Sequence, residues 1–320
     1  MLELRTDGTV GPVDHADPGV VELSGATRLE LRLVSVTSFA LDGTLRAPDH
    51  DGLEREALAA IDALAPTSHD VLVARAERAH AELHDRCALD LAPALGHTPS
   101  ADPGEGGPEP STEEGLVALR DDPDEDPRPL VELLAHMGRY LLLTVAGTAE
   151  TPPANLQGIW NHLPEPPWFC DDTLNINLPM TYWPAGPAHL SETGTGLAAW
   201  LDVLARSGRR TAAEQFGAPG WAAFHNSDRW GYAGSAGQGE DVPPGRPGRS
   251  GGAWLASTLV DLFRFTPGGL PSERVGLVED AARFALALLV EMPDGTPAPP
   301  PPPPRRTRSS RRTTRSAPCT

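Results

Sequence analysis

The sequence predicts a mainly α-helical protein with a small α+β part at its N-terminus. Three observations carry this: one short segment of strict apolar alternation near residue 30, six segments with apolar residues at helical spacing, and a composition in which 35 Pro and 32 Gly among 320 residues interrupt the packed parts with long loops. With 39% hydrophobic residues the chain can supply a core over part of its length, so core residues must be concentrated in the periodic segments.

Leu29, Leu31 and Leu33 alternate with Arg28, Glu30 and Arg32, the period-2 pattern of a strand with one buried face. Leu53 to Leu64 and Ser68 to His84 read as two helices, the second capped by Ser68 and carrying Val71, Leu72, Ala79 and Leu83. From about Pro93 to Pro129 the chain is rich in Pro, Gly, Asp and Glu, including the run Asp121-Asp122-Pro123-Asp124-Glu125-Asp126, and should be a solvated linker or a partner-binding acidic segment. Leu130 to Val145 sets Leu133, Leu134, Met137, Tyr140, Leu141 and Leu142 near helical spacing, and Leu197–Leu204, Trp254–Phe265 and Arg274–Val290 give three more apolar helices.

A formal charge of −18 excludes tight non-specific binding to nucleic acid or an anionic membrane, since both need clustered cations. A neutral ligand such as a sugar is compatible. Cys87, Cys170 and Cys319 are too few and scattered for a disulfide framework or a zinc site. No apolar run reaches the length of a membrane span and the first residues carry no signal-peptide pattern, so a cytoplasmic protein is expected, or a secreted one if the true N-terminus lies upstream.

The chemistry concentrates in Pro153-Ala154-Asn155-Leu156-Gln157-Gly158-Ile159-Trp160-Asn161, Pro166-Pro167-Trp168, Asn175-Ile176-Asn177 and Tyr182-Trp183-Pro184-Ala185. Aromatic faces suit the C–H faces of a pyranose, and carboxamides donate to and accept from vicinal hydroxyls, so this mixture describes either a sugar pocket or core Trp with capping Asn. In an extended segment Asn175 and Asn177 face the same side and can share one target; the competing reading has both capping turns. Such amides can orient a water but cannot take its proton without a nearby carboxylate.

Taken in order, these motifs resemble the signature of glycoside hydrolase family 95. The resemblance continues through His189-Leu190-Ser191-Glu192, Gly217-Ala218-Pro219-Gly220-Trp221, His225-Asn226-Ser227-Asp228 and Gly251-Gly252-Ala253-Trp254-Leu255, with Gly138-Arg139-Tyr140-Leu141-Leu142 upstream. His80 to Arg86 with Ala88 to Leu91 is more weakly similar to the end of the family's N-terminal β-domain and its helical linker. The resemblance implies an incomplete (α/α)6 barrel, or toroid, preceded by a remnant of a β-sandwich domain. On that division residues 1–92 are the remnant and its helical linker, 93–129 the acidic linker, 130–292 the first half of the barrel, and 293–320 a disordered Pro/Arg-rich tail.

The activity implied is inverting hydrolysis of terminal α-L-fucosides, α1,2-linked, on a fucosylated oligosaccharide and without a metal or organic cofactor. By the match, Asn175 and Asn177 position the water, while Gln157, Trp160, Asn161, Trp168 and Trp183 fall on the sugar-binding segment. His225 and Asp228 either line the pocket or satisfy buried backbone groups, and Glu192 reads as a helix start. The family's acid, a Glu in a loop after the Arg274–Val290 helix, and its Asp base further on have no counterpart here. From Pro297 the sequence turns to six consecutive Pro, at 299 to 304, and then an Arg/Ser/Thr-rich tail, as a shifted reading frame in a GC-rich gene would produce, or as a polyproline spacer with a basic arm would. The expectation is a fucosidase-like chain impaired by this loss, with a non-catalytic sugar-binding fragment or a pseudogene product as the alternative.

Overall fold

The computed structural model describes residues 1–11, 20–39, 49–91, 111–146, 151–235 and 251–298. The expected tail beyond 298, half of the expected linker and residues 236–250 therefore lie outside the described residues.

At the N-terminus β1 (Leu2–Thr6) pairs antiparallel with β4 (Leu29–Leu33), and β2 (Thr9–Val10) pairs with β3 (Leu23–Ser24). The alternating segment is a strand, but its buried face is the charged one. Leu29, Leu31 and Leu33 are 50%, 56% and 75% exposed, whereas Arg32 is 6% exposed. The reason lies in the next element. Arg32 donates to the carbonyls of Leu64 and, at 2.7 Å, Thr67, and Arg5 donates to that of Ala65 at 3.1 Å. These carbonyls close the end of α1 (His50–Leu64), where helical acceptors lack partners and a cation is favoured. Arg32 also holds Glu30 at 2.6 Å, so the charged face docks as a unit.

Helix α2 (His69–His84) starts where its cap predicts, with the Ser68 hydroxyl accepting from the Val71 N–H at 3.4 Å. Helix α3 (Thr112–Asp121) occupies the second half of the segment read as linker. It buries none of its side chains and is held by a capping box: Ser111 Oγ accepts from Glu114 N–H at 3.3 Å, and Glu114 Oε2 accepts from Ser111 N–H at 2.7 Å. Ser111→Ala should therefore destabilise this helix by about 1 kcal/mol. Amide exchange over 112–121 would speed up while the global melting temperature stays put; a shift in global melting would show that α3 is packed rather than merely capped.

Helix α4 (Arg128–Val145) begins the packed region, followed by β5 (Asp172–Thr173), α5 (Asn177–Tyr182), α6 (Gly194–Phe216), β6 (Asn226–Ser227), α7 (Gly251–Phe263) and α8 (Ser272–Ala287). A last ladder joins β7 (Val290–Glu291) to β8 (Pro297–Ala298). The one core that spans α4 to α8 is built on fully buried Leu197, Leu201, Leu204, Leu255 and Leu259. Trp221 sits at its centre, fully buried, with its indole N–H donating to the Leu277 carbonyl at 2.9 Å. Its ring fits because Gly208 and Gly252 leave the space: a Cβ at Gly252 would lie 2.6 Å from the Trp221 ring, and one at Gly208 3.1 Å from it.

Arg139 of α4, 7% exposed, joins three elements. Its guanidinium donates to the carbonyls of His84 at 2.7 Å, Cys87 at 2.6 Å, Leu83 at 3.2 Å and Ala188 at 3.4 Å. The end of α2, α4 and the loop after α5 thus meet on one cation. Among the described residues no single helix is long and apolar enough to cross a membrane.

Candidate active site

The short β5–β6 ladder places the Asn175-Ile176-Asn177 segment. It sets Asp172 opposite Ser227 and Thr173 opposite Asn226, and the Leu174 N–H extends the pairing to the His225 carbonyl at 2.7 Å. Leu174, fully buried, anchors the turn from below. The chain then turns through residues 174–176 and starts α5 at Asn177. The expectation of an extended segment with both amides on one side is corrected here. Asn177 is the first helical residue, and a strand's period of two does not apply across a turn into a helix.

Opposite this turn, the Ala154 N–H donates to the Tyr182 hydroxyl at 3.0 Å, which pins the Pro153–Leu156 segment against α5. The Arg229 guanidinium fixes the same segment through the Pro153 carbonyl at 2.6 Å. Between the two lies a cavity of about 320 Å³ lined by Ala154, Asn155, Leu156, Asp172, Thr173, Asn177, Leu178, Met180 and Thr181. That volume is at the small end of ligand pockets, enough for one monosaccharide ring.

The electrostatics centre on Asp172, 2% exposed. Burial pushes its carboxyl up to about 7; Arg229 opposes the shift, and the neighbouring Asp171 and Asp228 add to it. Asp171 is also raised, by burial and then by Asp228, against a hydrogen bond from the Asn226 amide at 3.3 Å. The Tyr182 phenol is held well above its ordinary range by burial, so it stays a neutral hydroxyl.

Of the residues expected to position the water or to bind sugar, Asn177, one of the two water-positioning amides, lines this cavity, and none of the expected sugar-binding residues does. Asn175 is half-buried in the turn and is not part of the lining. The Gln157 amide donates to the Pro167 carbonyl at 3.0 Å, and its Oε1 is buried without a partner. Asn161 makes a local turn, accepting from the Leu163 N–H at 3.1 Å. Asp228 Oδ1 accepts from the N–H groups of Trp230 and Tyr232 at 2.9 and 3.1 Å, and the His225 carbonyl belongs to the ladder. Asp228 thus accepts from backbone N–H groups, but these lie on an exposed turn and are not buried.

The aromatic wall is not assembled around the cavity either. Trp160 is 52% exposed with its ring 6.2 Å from that of Tyr140, and Trp183 is 54% exposed at 6.5 Å from Trp254. Trp183 lines a separate hollow of about 200 Å³ with Thr258, Asp261 and Phe265. Trp168 is 78% exposed at the start of three consecutive left-handed residues, Trp168, Phe169 and Cys170, with φ of 51°, 56° and 54°. That tight left-handed turn directs Trp168 and Phe169 outward, as an aromatic pair standing free of the core.

Two cavity residues have no specific binding role in the sequence reading: Asn155, read only as part of the motif, and Asp172, read as a carboxylate near the motif and not as acid or base. Asn155 lies inside the aromatic and amide motif, and its place there is the signal that marks it. Asp172 is marked only by adjacency to Asp171, a pair of carboxylates just ahead of a buried leucine.

Comparison with known proteins bears on this arrangement. Residues 68–302 match the model of the glycosyl hydrolase family 95 catalytic domain. The chain is 40% identical over 174 residues to "Alpha-L-fucosidase 2" of Arabidopsis thaliana, a stretch covering 54% of this chain and 20% of that protein. It is 29% identical over 176 residues to "Probable alpha-fucosidase A" of Aspergillus niger, covering 52% and 22% respectively. It is 32% identical over 113 residues to "Probable alpha-fucosidase A" of Aspergillus oryzae, covering 35% and 15%. The matched stretches thus span about a fifth of the length of these curated relatives.

Proposed function

The chain belongs to glycosyl hydrolase family 95, and from that premise we propose that it is an α-L-fucosidase-type sequence whose cavity between Pro153–Leu156 and α5 holds a terminal α-L-fucosyl unit. The single observation that carries the reading is the catalytic-domain match over residues 68–302. The cavity supports it in size and chemistry: two carboxamides and a carboxyl for hydroxyls, with Leu156, Leu178 and Met180 for the apolar edge of a deoxy sugar. Helices α4 to α8 are read as part of an (α/α)6 barrel, and the N-terminal ladders as a remnant of a β-sandwich.

Inverting hydrolysis needs an acid to protonate the leaving oxygen and a base to activate a water on the opposite face of the ring, about 6.5–9.5 Å apart. In this reading Asn177, with Asn175 at the preceding turn, orients the water of an α1,2-linked fucoside. In this reading no residue of the described chain is assigned as acid or base, and fucose binding without turnover is the expected behaviour. The test is to incubate the purified chain with 2′-fucosyllactose and to titrate it with L-fucose. Saturable fucose binding with fucose release at the buffer rate is expected. Clear turnover would place an acid and a base within the chain, and absence of both binding and a cooperative unfolding transition would favour a non-functional product.

A further inference from the structure

Among the described residues Asp172 is a buried acid whose Oδ1 has no hydrogen-bond partner, and Asn155 Oδ1 is buried and unpartnered as well. Both residues line the 320 Å³ cavity, one from β5 and one from the segment pinned by Tyr182. Arg229, the cation that acts on Asp172, directs its Nη1 to the Pro153 carbonyl. Two desolvated acceptor atoms on residues that line one small cavity are costly unless a donor reaches them. Hydroxyl groups donate. A further anion would be repelled by Asp172, and among the described residues no group of three metal-ligating side chains stands ready to hold a cation.

We propose that Asp172 and Asn155 form the hydroxyl-recognising pair of this cavity, accepting from adjacent hydroxyls of the bound sugar, with Asp172 as the residue that sets specificity. The proposal rests on the fucoside reading above and deepens it, because it names the contacts that select the ligand. Asp171, Asp228, Arg229 and the Tyr182 phenol are the titratable and charged groups facing Asp172, and with burial they leave its carboxyl changing charge near neutral pH. The ionised form accepts stronger, charge-assisted hydrogen bonds from sugar hydroxyls, so ligand affinity should rise as pH rises through that range.

The experiment is calorimetric titration of L-fucose into the full chain and into Asp172→Asn, Asp172→Ala and Asn155→Ala at pH 6 and pH 8, with melting curves for each. Wild type should bind several-fold more tightly at pH 8 than at pH 6. Asp172→Asn, which keeps the shape, should abolish that pH dependence and weaken binding at pH 8 by roughly tenfold, with Asn155→Ala weakening it at both pH values. If Asp172→Asn and Asn155→Ala bind with wild-type affinity and an unchanged pH profile, the pair is overturned while the fucoside reading stands. If the wild-type chain binds no L-fucose at either pH, both fall together. Should Asp172→Ala fail to melt cooperatively, the isosteric Asp172→Asn alone decides.

Discussion

Arg139→Ala is expected to lower the unfolding free energy by about 3–5 kcal/mol, which for a chain of marginal stability means loss of most of the folded population at 37 °C. The size follows from what the guanidinium touches. Three of its four acceptors, Leu83, His84 and Cys87, lie at the end of α2, where backbone carbonyls have no helical partner and carry the negative end of the helix dipole. The fourth, Ala188, belongs to the loop after α5. Removing the side chain leaves buried acceptors without donors and separates α2 from the helical core. Arg139→Lys keeps the charge but offers one compact ammonium in place of a planar fork, and should recover less than half of the loss. Urea unfolding followed by circular dichroism measures both. A change below about 1 kcal/mol for Arg139→Ala would mean that water replaces the guanidinium at no cost.

Asp172→Asn should raise stability at pH 8 by on the order of 3–4 kcal/mol, and the gain should disappear toward pH 4. Burial, resisted by Arg229 and aided by Asp171 and Asp228, moves this carboxyl from 3.8 to about 7 on folding. Between those values the folded chain holds a proton that the unfolded chain has released. Stability therefore falls as pH rises from about 4 to 7, and the full penalty is present above the folded value. Asparagine cannot ionise, so it escapes the penalty where aspartate carries it and gains nothing below the unfolded value. Thermal melting of both proteins from pH 4 to pH 8 reads the difference directly. Parallel curves across that range would show that Asp172 is solvated in the folded state.

A strictly structural position would be served better by an amide or an apolar side chain than by a carboxyl that destabilises the empty protein at neutral pH.

Hydrophobic periodicity made most helices legible, but only α6, α7 and α8 bury a full stripe, which includes Leu197, Leu201, Leu204, Leu255, Leu259 and Leu277. Helix α1 buries Ala57 and Ile61, α4 buries Leu142 with Arg139 while Leu133, Leu134 and Met137 stay exposed, and α2 buries no side chain fully. The Ser68 cap was readable for the same local reason. Helix α3 escaped because its acidic, Pro-flanked composition outweighs a capping box, Ser111 with Glu114, that is visible in the sequence once sought. The strand at residue 30 was legible as a strand, but which face it buries was not. That choice depends on orphan carbonyls at the end of α1, which no local pattern announces.

The site divides in the same way. The Asn-Ile-Asn motif announces amide chemistry, and Asn177 does reach the cavity. The assumption of an extended backbone failed because the β5–β6 ladder ends at Thr173, two residues before Asn175, and the buried Leu174 already lies in the turn. Tryptophans close together in sequence were expected to wall the pocket, yet they diverge onto different surfaces of the fold. The sugar reading therefore stands on family membership and on the cavity's polar atoms, not on aromatic stacking. Asp172 was the least legible residue, since its importance comes from burial that only tertiary structure supplies.

Hydrogen exchange of the chain with and without saturating L-fucose tests the cavity assignment most directly. Slowed exchange confined to residues 154–156 and 172–181, with α1 and α3 unchanged, is the predicted result. Protection that falls instead on the hollow beside Trp183 and Phe265, or no protection at all, would contradict it.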